Sequence, residues 1–131
     1  MPISMLVADD SLYARLVVKN VVMDALGEAV FSEATSGSEA IELAEAREFL
    51  FDCYLLDINM AGKDGIQVAE HLLESGVAPE TIALVTGNHS RDLKLRASEL
   101  GLRYIEKALS PADLEPFQLR VQGFLKGLGH E

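Results

Sequence analysis

Three carboxylates, a hydroxyl and an amine are the residues of this 131-residue chain that could do chemistry together. Asp57 closes the apolar run Cys53-Tyr54-Leu55-Leu56. A short continuous apolar run reads as a strand buried on both faces. An acid at its end is costly unless it is paired or used. Asp9 and Asp10 close a second apolar run, residues 3–8; Thr86 ends a third and Lys107 follows a fourth. Carboxylates drawn together repel, and some would hold protons unless a cation balanced them. Oxygen-only ligands suit Mg²⁺, or Mn²⁺, rather than zinc. The chain has one cysteine and no Cys/His cluster for a softer metal. A cation and Lys107 would neutralise the oxygens of a phosphoryl group, and the Thr86 hydroxyl would donate to one of them. A carboxylate can serve as its acceptor.

These residues need elements to hold them. Apolar runs at 3–8, 29–34, 52–56, 81–85 and 103–106 read as strands. Helices are expected over 12–26, with Ser11 or Asp10 as cap and Gly27 beyond its end, and after Ser36, whose spacing to Glu39 is that of a capping box. Residues 60–65 read as a loop, and further helices are expected over 66–74 and 91–100. The last helix is expected to start near Leu114, with Asp113 as its cap and Pro116 in its first turn. Its apolar stripe is Leu114, Phe117, Val121, Phe124, Leu125 and Leu128, and Gly123, Gly127 and Gly129 predict a frayed end. Short strands joined through helices imply an α/β fold, a parallel sheet with helices on both faces. Ligands of such sheets bind beyond the carboxyl ends of the strands. That edge gathers Asp9, Asp10, Asp57, Thr86 and Lys107.

Composition narrows the function. With 21 acidic and 11 basic residues the net charge is −10. That disfavours direct nucleic-acid binding and docking on anionic lipid. A lone cysteine, Cys53, read as core, suits a reducing cytoplasm. The N-terminus has no signal-peptide pattern, and no apolar run is long enough to span a membrane. The length predicts one domain, residues 1–131 with its core at about 3–128, and no output domain in this chain.

The pattern resembles a response-regulator receiver domain of bacterial two-component signalling. The resemblance rests on Asp9-Asp10-Ser11 with Arg15 four residues on, Asp57 at a strand end, Met60 followed by Asp64-Gly65, Thr86-Gly87, and Tyr104 three residues before Lys107. It implies a flavodoxin-like (βα)5 sandwich of strand order 2-1-3-4-5. It implies that Asp57 takes a phosphoryl group from a phosphohistidine of a histidine kinase or phosphotransfer protein. Asp10, Asp57 and the Asn59 carbonyl would ligate Mg²⁺, with Asp9 acting largely through water. Lys107 would pair with the phosphoryl oxygens. Thr86 and Tyr104 would relay the state to the face of the fourth helix, fifth strand and fifth helix, where a target protein or a second copy binds. Such a domain is a signalling switch, not an enzyme beyond its own phosphorylation and dephosphorylation.

The chain departs from the family at three places. Ala108 stands where proline usually follows the lysine, and a cis bond before a non-proline residue costs about 2.5–4 kcal/mol, so a trans bond is expected. Met60-Ala61 replaces the usual Met-Pro. Asn88 replaces the usual glutamate two places after the threonine; with Asn59 it occupies a position that influences phosphoryl hydrolysis.

Other readings stay open: a pseudo-receiver that only binds partners, a flavin-binding electron carrier of similar fold, and a dehalogenase-type phosphohydrolase. Arg91, Lys94, Arg96 and Arg103 suggest a docking face for an acidic partner element. Leu12, Tyr13 and Leu16 suggest a landing site for the phosphodonor. His71 and His89 are expected in solvent, and Met5, Met23 and Met60 in packing.

Overall fold

The structure is a computed structural model and describes residues 2–88 and 90–129. His89 lies outside the described residues. Strands and helices alternate: β1 (Ser4–Ala8), α1 (Leu12–Leu26), β2 (Val30–Ala34), α2 (Gly37–Ala46), β3 (Cys53–Leu56), α3 (Gly65–Glu74), β4 (Ile82–Thr86), α4 (Arg91–Leu100), β5 (Arg103–Glu106) and α5 (Leu114–Gly127). The strands form one parallel sheet in the order β2-β1-β3-β4-β5. This is the flavodoxin-like arrangement, with helices on both faces.

Side-chain alternation builds the two layers, since neighbouring strand residues face opposite ways. Met5, Val7, Cys53, Leu55, Ala83 and Val85 pack against Val18, Val21 and Val22 of α1 and Phe117, Val121 and Phe124 of α5. Leu6, Ala8, Tyr54, Leu56, Ile82 and Leu84 pack against α2, α3 and Ala97 of α4. Cys53 and Met5 are buried as expected, whereas Met23 is exposed on α1, contrary to its reading as packing. His71 is only partly exposed and lies beside the Phe49 ring.

Helix ends were less legible. Ser11 caps α1 by accepting the Ala14 N–H, and Gly27 ends it at φ 77°. Ser36 caps α2, but Glu39 reaches past it to accept the Thr35 N–H at 2.6 Å, so the expected reciprocal box does not close. The box that closes is at α3, between Asp64 and Gln67, with both bonds at 2.8–2.9 Å. Asp113 does not cap α5. Its carboxylate turns back to accept from Leu109 N and Ser110 Oγ, and a 3-10 turn over Pro111–Asp113 leads into the helix. The helix runs unbroken through Gly123 to Gly127, where the Arg103 guanidinium lies close to both glycines.

Candidate phosphoryl-acceptor site

The carboxyl ends of β1, β3, β4 and β5 meet at one edge. Asp57 follows β3 directly, and its N–H donates to the Ala8 carbonyl at 2.8 Å, which locks it to the end of β1. Asp9, next along β1, donates its own N–H to Ala34 of β2 at 3.0 Å. Both carboxylates are buried, while Asp10 is exposed. Oxygens of Asp9, Asp10 and Asp57 lie within 4.8 Å of one another. This all-oxygen donor set fits a hard divalent cation such as Mg²⁺. Asn59 donates its N–H to Asp57 Oδ1 at 3.4 Å.

Lys107 enters from β5, its N–H held by the Thr86 carbonyl at 3.0 Å. Its Nζ lies 2.6 Å from Asp9 Oδ2 and 3.2 Å from Asp57 Oδ2. There is no cis peptide bond among the described residues, so Ala108 follows a trans bond and the lysine still reaches the acids. Burial works against the lysine's charge, but the hydrogen bond to Asp9 and the field of Asp57 outweigh it and hold its pKa above the usual value. Burial pushes the Asp57 carboxyl up. Lys107 pulls it down, Asp9 repels it upward, and the Thr86 hydroxyl helps the ionised form; the net shift is upward. A buried carboxyl shifted by desolvation and a specific charge partner at a strand edge is a functional-site candidate.

Thr86 is fully buried, and its Oγ1 accepts the Asn88 N–H at 3.2 Å. The Tyr104 hydroxyl donates to the Asn88 carbonyl, and Asn88 Oδ1 accepts the Ser90 N–H at 2.9 Å, just ahead of α4. Asn88 thus joins the threonine, the tyrosine and the start of α4. The Tyr104 ring packs on the α3/α4 layer with Lys94 Nζ 5.7 Å from its centre.

Two glycines set the floor of the site. A Cβ on Gly65 would lie 2.2 Å from the Asp57 carbonyl oxygen, and one on Gly37 would lie 1.9 Å from the Lys63 carbonyl oxygen. Only glycine allows α3 to start against the back of Asp57, and α2 to support the loop before α3. Gly65 stands in the Asp64-Gly65 pair noticed in the sequence, but the pair alone does not reveal the contact.

A five-stranded doubly wound domain with an acid cluster and a lysine at its carboxyl edge defines a flavodoxin-like α/β class whose site lies beyond the strand ends. The particular family follows from comparison: the response regulator receiver domain profile matches residues 5–116, and the chain belongs to that family. The nitrate/nitrite response regulator NarL of Escherichia coli is 31% identical over 113 residues, covering 86% of this chain and 51% of that protein. The transcriptional regulatory protein PdtaR of Mycobacterium tuberculosis is 33% identical over 125 residues, covering 94% of this chain and 58% of that protein. The chain therefore spans a little over half the length of these curated relatives. A chain of the CheX–CheY–BeF3–Mg²⁺ complex of Borrelia burgdorferi superposes with a TM-score of 0.78 at 21% identity, over 94% of this chain and 89% of that one. The Mn²⁺-bound response regulator Rcp1 gives 0.78 at 21% identity, over 95% and 93%. These two establish the shared fold. No helix of the described residues is long and apolar enough to cross a membrane.

Proposed function

We propose that residues 1–131 form one receiver domain and that Asp57 is its phosphoryl acceptor. A single observation carries this: a buried Asp57 carboxylate with Asp9 and Asp10 oxygens within 4.8 Å and Lys107 Nζ at 3.2 Å. An Asp57 oxygen attacks the phosphorus of a phosphohistidine on a kinase or phosphotransfer protein. The phosphorus–nitrogen bond breaks, and its electron pair returns to the donor imidazole. Asp10, Asp57 and the Asn59 carbonyl would hold Mg²⁺, with Asp9 through water, and the cation when bound supplies neutralising charge for the phosphoryl oxygens. Lys107 turns from the carboxylates towards a phosphoryl oxygen.

The relay follows from the bonds at Asn88. Thr86 moves towards the phosphoryl group and draws the Asn88 N–H bonded to its hydroxyl; the Asn88 carbonyl that holds Tyr104 moves with it. The change is expressed on the α4–β5–α5 face, which meets a downstream protein or a second copy. The phosphodonor lands on α1, where Leu12, Tyr13 and Leu16 are 61%, 75% and 42% exposed. A groove of about 260 Å³ beside them is lined by Tyr13, Val17, Ala108, Leu109 and Leu114. The setting is the cytoplasm, and no turnover of an external substrate is expected.

Incubation with acetyl phosphate and Mg²⁺ tests the acceptor. Label that disappears in Asp57→Asn supports it; undiminished label in that variant overturns it. An Asp57 unreactive beside strong Mg²⁺ binding would favour the pseudo-receiver reading. A flavin carrier is disfavoured by Asp9 and Asp10, which would repel a phosphate at the first loop.

A further inference from the structure

We infer that Arg15 is a positioning residue for the Asp9–Asp10 pair, fixing the peptide that joins the two acids and so the geometry of their carboxylates. The inference rests on the reading of these acids as the cation-binding part of the acceptor site. Arg15 stands on the first turns of α1, and its side chain is only 11% exposed. Its guanidinium makes two separate bonds. Nη1 donates to the Asp9 carbonyl oxygen at 2.7 Å, and Nε donates to Glu33 Oε1 on β2 at 2.9 Å. The second Glu33 oxygen accepts from Lys19 Nζ at 2.9 Å. Each oxygen of Glu33 thus takes one cation, Arg15 on Oε1 and Lys19 on Oε2.

The position of that bond matters. The Asp9 carbonyl belongs to the peptide plane between Asp9 and Asp10. One face of Asp9 is already set, because its N–H is held by Ala34. The Asp9 carboxylate accepts the Ser11 N–H at 2.9 Å. Asp10 is exposed and has no such tether among the described residues, so its direction depends on the peptide plane before it. Arg15 holds that plane at its oxygen. Partners that orient ligand groups in this way commonly change metal affinity when removed. The guanidinium offers Nη1 and Nε to the two acceptors from separate nitrogens in a fixed plane, whereas a lysine carries its three donors on one nitrogen and would have to bring that single atom within reach of both.

Lys19 provides the control. It shares Glu33 with Arg15 but does not touch Asp9, so Lys19→Ala weakens the same ion-pair network without freeing the peptide. Three variants of the full chain, Arg15→Ala, Arg15→Lys and Lys19→Ala, are compared with the wild type by two measurements. In metal-free protein, amide exchange at Ser11 should rise several-fold in Arg15→Ala and stay at the wild-type rate in Lys19→Ala. By calorimetric titration, the Mg²⁺ dissociation constant should rise about tenfold in Arg15→Ala. It should be partly restored in Arg15→Lys and unchanged in Lys19→Ala. Equal weakening in Lys19→Ala, or no change in Arg15→Ala, would overturn the inference. A wild type that takes up no Mg²⁺ would overturn the functional reading, while the metal-free exchange would still decide the role of Arg15.

Discussion

Burial of the Asp57 carboxyl outweighs the help that Lys107 and Thr86 give its ionised form. Its pKa in the fold is raised, chiefly by burial, above the unfolded value. The native state therefore binds that proton more tightly, and the resulting stabilisation is present in acid and lost as pH rises through the native pKa. At neutral pH the metal-free Asp57→Asn variant should be more stable than the wild type, by on the order of 1 kcal/mol. The advantage should shrink as pH falls into the carboxylate range. Mg²⁺ should stabilise the wild type by mass action and the variant much less. Melts with and without Mg²⁺ across pH check all three points. Lys107 is the one cation paired with the Asp9 and Asp57 carboxylates among the described residues. Lys107→Ala strips both acids of it and should cost about 3 kcal/mol in metal-free denaturant unfolding, with Mg²⁺ restoring part of the loss. The positions of these residues could be read from the apolar runs they terminate. Their pairing could not: Lys107 sits nearer Asp9 than Asp57, a matter of side-chain reach that no spacing encodes.

At the scale of the element, strand identity and order of appearance were legible, because parallel strands are apolar on both faces. Helix starts were harder. The Asp64/Gln67 box is hidden in the sequence because Gly65 reads as loop, and it is glycine only because α3 begins against the Asp57 carbonyl. Gly65→Ala should push those backbones apart, cost about 2 kcal/mol or more, and disturb the acceptor; urea unfolding measures the cost. The end of α2 breaks local rules in the opposite sense. α1 and α4 end on Gly27 and Gly101 in the left-handed region, but after α2 that region is filled by Glu48 and Phe49, at φ 55° and 58°. A left-handed L-residue costs about 1–2 kcal/mol. Glu48 also places negative charge at the negative end of the helix, three residues after Glu45. Glu48→Gly should therefore raise stability by about 0.5–1 kcal/mol, read as a shift of the urea midpoint.

For the whole molecule, the sheet order brings four strand ends to one edge and leaves β2 and β5 as the outer strands. Charge follows this geometry in part: Arg91, Lys94, Arg96, Arg103, Arg120 and Lys126 all lie in α4, β5 and α5 of a chain whose net charge is −10. Some are committed within the fold, Arg96 to Glu70 and Lys94 to Glu106. The cluster of basic residues could be seen in the sequence, but its division between internal pairs and free surface could not. The Thr86–Asn88–Tyr104 connection was likewise invisible, because two of its bonds run through the backbone of Asn88. A switch built on this edge depends on Asp57 being the residue that receives the phosphoryl group. The most direct test is to phosphorylate the chain with acetyl phosphate and Mg²⁺, reduce the acyl phosphate with borohydride, and sequence the peptides by mass spectrometry. With Asp57 as the acceptor, homoserine is expected at position 57 and unmodified aspartate at positions 9 and 10. Homoserine at 9 or 10, with position 57 unmodified, would contradict it.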